Sequence, residues 1–478
     1  MRLIGSAFTV VFVQLFFSAV LFLFIIFTGC NLSKDNPIEK INKADSLRSA
    51  TQIKNDFPLD SVIENILCEK NNQFSYAVFL PKNYQGNKGW PVILFFDPHA
   101  AGDLPLKKYR SIANEFGFIL AGSNSSKNNL NTPGIYPEIY KALRADIQQK
   151  FNVENNRIYL AGFSGGARVA LSFGLADTSI AGVIANSAGF DPASSPMREG
   201  FAFCGIAGDE DFNLLEQRRT EKNLLPYQGI FHQLMEFNGK HEWAPEEQMR
   251  DAFVFLGCVA LTKKFPTPEK EIIINRCQTL ENELKNTTDK KLRLKILQRT
   301  ACFKQAGVCS VGIQKEIEGL NNSVFNKKIV EEEEKADAEE TTLQNNLTQK
   351  IFSENVTWWQ KTVTKWQSAD KNKPEHKLNC RLQSYMSMVV YLILQSPEGK
   401  KEVLLREKLL AIYELVDPEN PEWAYQKAVL RAQQNNRAEA LQLLNECARL
   451  NFNDKMRVAN QAEFSLLFND SSFPSSLK

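Results

Sequence analysis

The run Pro91, Val92, Ile93, Leu94, Phe95, Phe96 is apolar at every position, so a strand built from it has no face to offer to water. It is stable only inside a sheet that helices cover on both sides. The surrounding sequence supplies those helices. From Phe74 to about Cys258, short β-rich runs at 74–80, 91–96, 118–121, 157–161, 182–186, 201–206 and 231–237 alternate with stretches of helical period at 106–116, 137–151, 165–175 and 245–256. That alternation predicts an α/β architecture, a mostly parallel sheet with helices on both faces.

The whole chain has 478 residues, more than one such domain needs, and its 43% hydrophobic and 23% charged content is that of a globular protein. Lys+Arg 57 against Asp+Glu 55 leaves a formal charge of +2, too flat to steer a nucleic acid, and no nucleic-acid partner is expected. The N-terminus is different. After Arg2 no charge occurs before Lys34, and Phe, Leu, Val and Ile dominate from Leu3 to Thr28. This has the form of an export signal, and Phe27, Thr28, Gly29, Cys30 resembles the lipobox of bacterial lipoproteins, which implies lipidation of Cys30. A retained N-terminal membrane helix is the alternative. Either way the body of the protein is expected outside the cytoplasm, in the bacterial cell envelope, tethered at the outer membrane or a periplasmic face. The expected division is residues 1–30 as signal or anchor, 31–70 as a polar tether, 71–258 as the α/β domain and 259–478 as a helical domain.

The chemistry concentrates at one junction. Arg157 to Ala161 leads directly into Gly162, Phe163, Ser164, Gly165, Gly166 and then a helix, which is G-x-S-x-G in the strand–turn–helix setting of a nucleophile elbow. Small residues are needed there because the turn brings strand and helix backbones together. The serine then sits at the positive end of the helix, where the Gly165 amide can donate to an oxyanion. Of the four histidines, His376 lies far downstream in a helical region and His232 lies within a strand run. His241, in the loop Asn238 to Trp243 that follows that run, is the expected base. The acid belongs to the loop after residues 201–206, where Asp209, Glu210 and Asp211 compete.

These marks together resemble the α/β-hydrolase superfamily, in its polyhydroxybutyrate-depolymerase-like and feruloyl-esterase-like branch. The resemblance rests on Asp97 to Gly102 at the oxyanion loop, Gly162 to Gly166 at the elbow, Gly208 to Asp211 as G-x-x-D, and Gly239 to Trp243 close to G-G-H-x-W. It implies a serine hydrolase that needs no cofactor and no metal and acts on an ester-containing small molecule or polymer. G-x-x-D spacing favours Asp211 as the acid, with Asp209 as the alternative. Because Pro98 has no N–H, the resemblance puts the second oxyanion donor at the backbone amide of His99 or Ala100, beside that of Gly165. The polar loop Ser123 to Asn129 either meets substrate or is plain surface. A peptidase of prolyl-oligopeptidase type shares this triad order, though no propeller region precedes the strands. A catalytically lapsed scaffold that binds partners through helical repeats is the reading from another class.

The remaining cysteines form no C-x-x-C pair and have no histidine at ligand spacing, so no zinc site is expected. Beyond Cys258 the strands stop. Residues 269–305 and 313–340 read as helices, with Glu331 to Glu334, Asp337, Glu339 and Glu340 as a solvated acidic face. Trp358, Trp359 and Trp366 read as packing anchors. Residues 421–428 and 438–450, joined by a turn at 433–436, resemble a tetratricopeptide helical pair, preceded by a possible second helix at 404–415. Such a module implies a protein partner. Mass spectrometry of detergent-extracted protein is expected to find a mature chain that begins at acylated Cys30; an intact Met1 terminus would favour the membrane helix instead.

Overall fold

The computed structural model describes residues 57–478 apart from 129, 131, 309, 310 and 322. Cys30 and the expected signal or anchor lie outside the described residues. No helix among the described residues is long and apolar enough to cross a membrane.

Eight strands form one sheet in the order β1-β2-β4-β3-β5-β6-β7-β8. They are β1 Val62–Cys68, β2 Asn71–Phe79, β3 Trp90–Phe96, β4 Ile119–Ser123, β5 Val153–Phe163, β6 Gly182–Asn186, β7 Ala202–Gly208 and β8 Phe231–Phe237. β2 runs antiparallel to β1 and β4, and all other pairs are parallel. Alternation along β3 divides the core in two. Ile93 and Phe95 pack with Leu106, Tyr109 and Phe116 of helix α1 (Asp103–Phe116). Val92, Leu94 and Phe96 pack on the other face with α2 (Ile135–Lys150) and α3 (Gly165–Ala176). Helix α4 (Leu214–Leu224) follows β7, and α5 (Glu246–Thr262) follows β8. The expected α/β sheet with helices on both faces is thus present. Its register brings Phe96 beside Gly162, Phe163 beside Asn186, Asn186 beside Ile206, and Gly208 beside Phe237. The carboxyl ends of five neighbouring strands therefore finish together, and in open α/β sheets such an edge is where ligands bind.

Two compact units make up the chain, divided between Glu332 and Glu333. The expected domain end at residue 258 falls inside the first unit, within α5. Helices α6 (Lys270–Asn286), α7 (Lys290–Gln305) and α8 (Val311–Asn321) follow, and Ile273, Cys277, Leu280, Leu284, Ile296, Phe303 and Ile313 join the same hydrophobic cluster as α1 and α5. Charge adds a second bond across that expected boundary. Arg157 on β5 is fully buried, donates to the Pro266 carbonyl at 3.0 Å, and pairs with the equally buried Glu269. The tether also ends earlier than expected, because β1 begins at Val62 and pairs with β2.

The second unit is helical: the remainder of α9 (Val324–Ser353), then α10 (Val356–Gln367), α11 (Pro374–Gln395), α12 (Pro397–Lys401), α13 (Val403–Val416), α14 (Pro421–Gln433), α15 (Arg437–Arg449) and α16 (Lys455–Ala459). Trp359 and Trp366 are buried. Glu340, expected on a solvated face, is instead buried and holds Arg381 at 2.7 Å. In the pair α14–α15, Ala424, Ala428, Ala440, Leu444 and Cys447 are buried, and Asn435 turns the chain at φ +58°. Asparagine tolerates that left-handed geometry better than most side chains.

Breaking a buried ion pair by removing one partner costs about 3–5 kcal/mol. Glu154 lies 3.7 Å from Arg157 and can take up part of the charge. Glu269→Gln is therefore expected to destabilise the first unit by about 3 kcal/mol in urea unfolding, and an unchanged midpoint would show that the cation has no need of Glu269.

Candidate active site

β5 turns into α3 through Ser164, whose φ of 52° and ψ of −119° lie outside the regions that L residues favour. A residue held there stores about 1–3 kcal/mol of strain. The glycines on either side have a steric reason. A Cβ on Gly162 would strike the Gly166 carbonyl, and one on Gly166 would strike the Phe96 carbonyl. The Ser164 amide donates to Asn186 O at 2.9 Å, and Arg168 N reaches Ser164 O at 3.2 Å to begin the helix.

Three of the residues singled out from the sequence stand in one line. His241 Nε2 is 2.9 Å from Ser164 Oγ, and His241 Nδ1 is 2.9 Å from Asp211 Oδ1. An ionised carboxylate only accepts, so Nδ1 carries the proton and Nε2 is left to accept from the serine hydroxyl. Asp211 is fully buried, and its Oδ1 also takes the Asn213 amide at 2.8 Å. Asp209, the alternative acid, turns its carboxylate to the Gly239 amide at 3.3 Å. Gly208 is where the acid and histidine loops touch, since a Cβ there would meet the Gly239 and Lys240 carbonyls. The rings of Phe163 and Phe212 lie 4.8 and 4.4 Å from the imidazole and confine it from two sides.

The histidine loop is held by residues the sequence analysis did not single out. Asn186, fully buried at the end of β6, accepts from Ala244 N at 2.6 Å and donates to Glu242 O at 3.2 Å. From α1, Lys108 Nζ donates to Trp243 O at 2.8 Å and the Tyr109 hydroxyl to Ala244 O at 2.7 Å. Burial pulls the Lys108 ammonium pKa down against the field of Glu242, and burial pushes the Tyr109 phenol up. Trp243 Nε1 donates to Asp97 Oδ2 at 2.9 Å. The signal available for Asn186 was a single polar residue closing the otherwise apolar run Gly182–Asn186.

The oxyanion loop differs from expectation. Asp97 Oδ1 accepts from the amides of His99 at 2.8 Å and Ala101 at 3.3 Å, while Ala100 N donates to the Asp97 carbonyl at 3.0 Å. The two backbone amides expected as second donor are thus turned onto Asp97, and Ala100 adopts φ +61° in the process. The Gly165 amide keeps its place at the head of α3. His232 lies apart from the line, on β8 with Glu221 at 2.8 Å. In the loop after β4, Asn124 Nδ2 is tied to Glu64 O at 2.8 Å and Ser75 N to Ser125 Oγ at 3.1 Å.

Removing the Asn186 carboxamide would leave a buried amide and a carbonyl of the histidine loop without partners, each at about 1–3 kcal/mol. Asn186→Ala is expected to lower unfolding stability by about 3 kcal/mol in denaturant titration, together with a fall in turnover; equal stability would mean that the loop is held without it.

No protein-family model matches this chain, and no curated protein matches it. Solved structures do. FphF, a fluorophosphonate-binding serine hydrolase of Staphylococcus aureus, is 14% identical, with 41% of this chain and 98% of that one covered at a TM-score of 0.36. The feruloyl esterase module from Clostridium thermocellum is 12% identical over 42% of this chain and 91% of its own, with a TM-score of 0.33. The S-formylglutathione hydrolase from Agrobacterium tumefaciens is 16% identical over 41% and 93%, with a TM-score of 0.32. By its strand order, its antiparallel β2 and the elbow between β5 and α3, the first unit of this chain has the α/β-hydrolase fold.

Proposed function

We propose that the chain is a serine hydrolase that cleaves ester bonds through an acyl-enzyme intermediate. The observation that carries this reading is the pair of 2.9 Å contacts linking Ser164, His241 and Asp211 across three separate loops. Ser164 Oγ attacks the ester carbonyl carbon as its proton passes to His241 Nε2. Asp211 stabilises the resulting imidazolium and fixes its tautomer. The Gly165 amide donates to the oxygen that takes up the carbonyl electron pair. Collapse expels the alcohol, which receives the proton from His241, and water then repeats the sequence on the acyl-serine.

The substrate class we propose is an ester-containing small molecule or polymer, met outside the cytoplasm by an enzyme that a lipid on Cys30 holds at a membrane of the bacterial envelope. The helical unit, with its tetratricopeptide-like pair α14–α15, is proposed to engage a protein partner.

The test is fluorophosphonate labelling with ester turnover in Ser164→Ala, Asp211→Asn and Asp209→Asn side by side. Ser164→Ala is expected to abolish labelling. Asp211→Asn is expected to lose about three to four orders of magnitude in kcat through the wrong imidazole tautomer, whereas Asp209→Asn stays within a few-fold of wild type. Undiminished labelling of Ser164→Ala would move the nucleophile elsewhere, and a dead Asp209→Asn beside an active Asp211→Asn would transfer the acid's role.

A further inference from the structure

We propose that the second donor to the oxyanion is a side chain, the carboxamide Nδ2 of Asn128, and not a backbone amide of the loop after β3. This inference rests on the hydrolase reading above and adds to it a residue in contact with the reacting atoms.

The first ground is elimination. A tetrahedral intermediate at Ser164 needs donors on the side of its oxygen, and Gly165 N supplies one. In the loop after β3, Pro98 has no N–H, and the amides of His99, Ala100 and Ala101 all point to Asp97. Turning the amide of His99 or Ala101 outward would strip a donor from a carboxylate that is 3% exposed and already anchored by Trp243, and the amide of Ala100 is spent on the Asp97 backbone carbonyl. Taking hydrogen bonds from a buried charge is costly, so the loop stays as it is.

The second ground is position. The Asn128 carboxamide lies against Gly165, where it fills the space a side chain would take: a Cβ on Gly165 would collide with Oδ1 and Nδ2 alike. Asn128 is thus beside the residue that gives the first donor. Its backbone amide donates to Pro98 O at 2.8 Å, so it is also fastened to the oxyanion loop. Tyr136 of α2 secures the chain on either side, donating to Lys127 O at 2.8 Å and accepting from Leu130 N at 3.4 Å. Among the described residues no hydrogen bond occupies the carboxamide itself, so it is free to donate. When Ser164 Oγ bonds to the carbonyl carbon, the C=O π pair moves onto oxygen and the serine proton goes to His241 Nε2. The new negative charge then lies between Gly165 N–H and Asn128 Nδ2–H, and no proton crosses to either donor.

The test uses the full chain as wild type, Asn128→Ala and Asn128→Leu, the second close to isosteric but without a donor. Three quantities are measured: kcat, KM, and the inhibition constant of an arylboronic acid, which forms a tetrahedral adduct on the serine. Loss of one oxyanion donor is expected to lower kcat by about 10²–10³-fold, with KM little changed and boronate affinity weakened in parallel. Melting curves check the fold, and if Asn128→Ala fails to fold, Asn128→Leu carries the measurement. A kcat close to wild type in either folded variant overturns the assignment, as does a rise in KM at constant kcat, which would make Asn128 a substrate contact. A wild-type chain that neither labels at Ser164 nor turns over an ester overturns the hydrolase reading and the donor with it.

Discussion

Between the Phe96 carbonyl and Gly166, and between Gly162 and the Gly166 carbonyl, there is no room for even a methyl group. That close approach of β3, β5 and α3 is what the site depends on. It forces the chain to reverse within one residue, which puts Ser164 at φ 52°. The strain is tolerated because the parallel register on both sides of β5 leaves the turn no alternative path. The hydroxyl is thereby carried above the strand ends, where loops from β7 and β8 can reach it.

Everything that aims His241 at that hydroxyl comes from elements packed independently of it. Asn186 grips the histidine loop from β6, Lys108 and Tyr109 grip it from α1, and Asp97 grips Trp243 from the end of β3. Rigid elements placing a side chain from several directions keep it near productive geometry, which a loop alone could not do. The same arrangement explains why the Asp97 carboxylate collects two amides of its own loop. A buried carboxylate must be satisfied somewhere, and its nearest donors are the peptides that follow it.

The sheet and the elbow were legible in the sequence because their requirements are local. A run such as Pro91–Phe96 can only be a covered strand, and glycines around a serine between strand and helix have few other uses. The contact of Asp211 with His241 was legible through spacing, since Gly208 makes the turn and two further residues bring the carboxylate round to face the histidine loop. β1 was not, because it is a half-exposed edge strand with Glu64 and Asn65 at outward positions and no alternation to read. α6 to α8 looked like a separate helical region because Lys, Glu, Asn and Gln together outnumber their apolar residues. What turns inward is a narrow set that includes Ile273, Cys277, Leu280 and Leu284 on α6, Ile296 and Phe303 on α7, and Ile313 on α8. Asn186 and Asn128 were hidden for another reason: a lone polar residue at a strand end or in a polar loop has meaning only through what the fold brings beside it.

The ion pair between Arg157 and Glu269 gives the first unit an order of assembly. The guanidinium sits at the middle of the sheet, on the strand that leads into Ser164, and its partner comes 112 residues later in the chain. A polypeptide made from its N-terminus presents the cation long before the counter-charge, so β5 cannot bury fully until the segment after Phe265 has emerged. Contacts so far apart in sequence form slowly, because the intervening loop must close first. The serine, histidine and acid all precede Glu269, so an incomplete chain can hold every one of them and still lack the dry sheet that sets them in line.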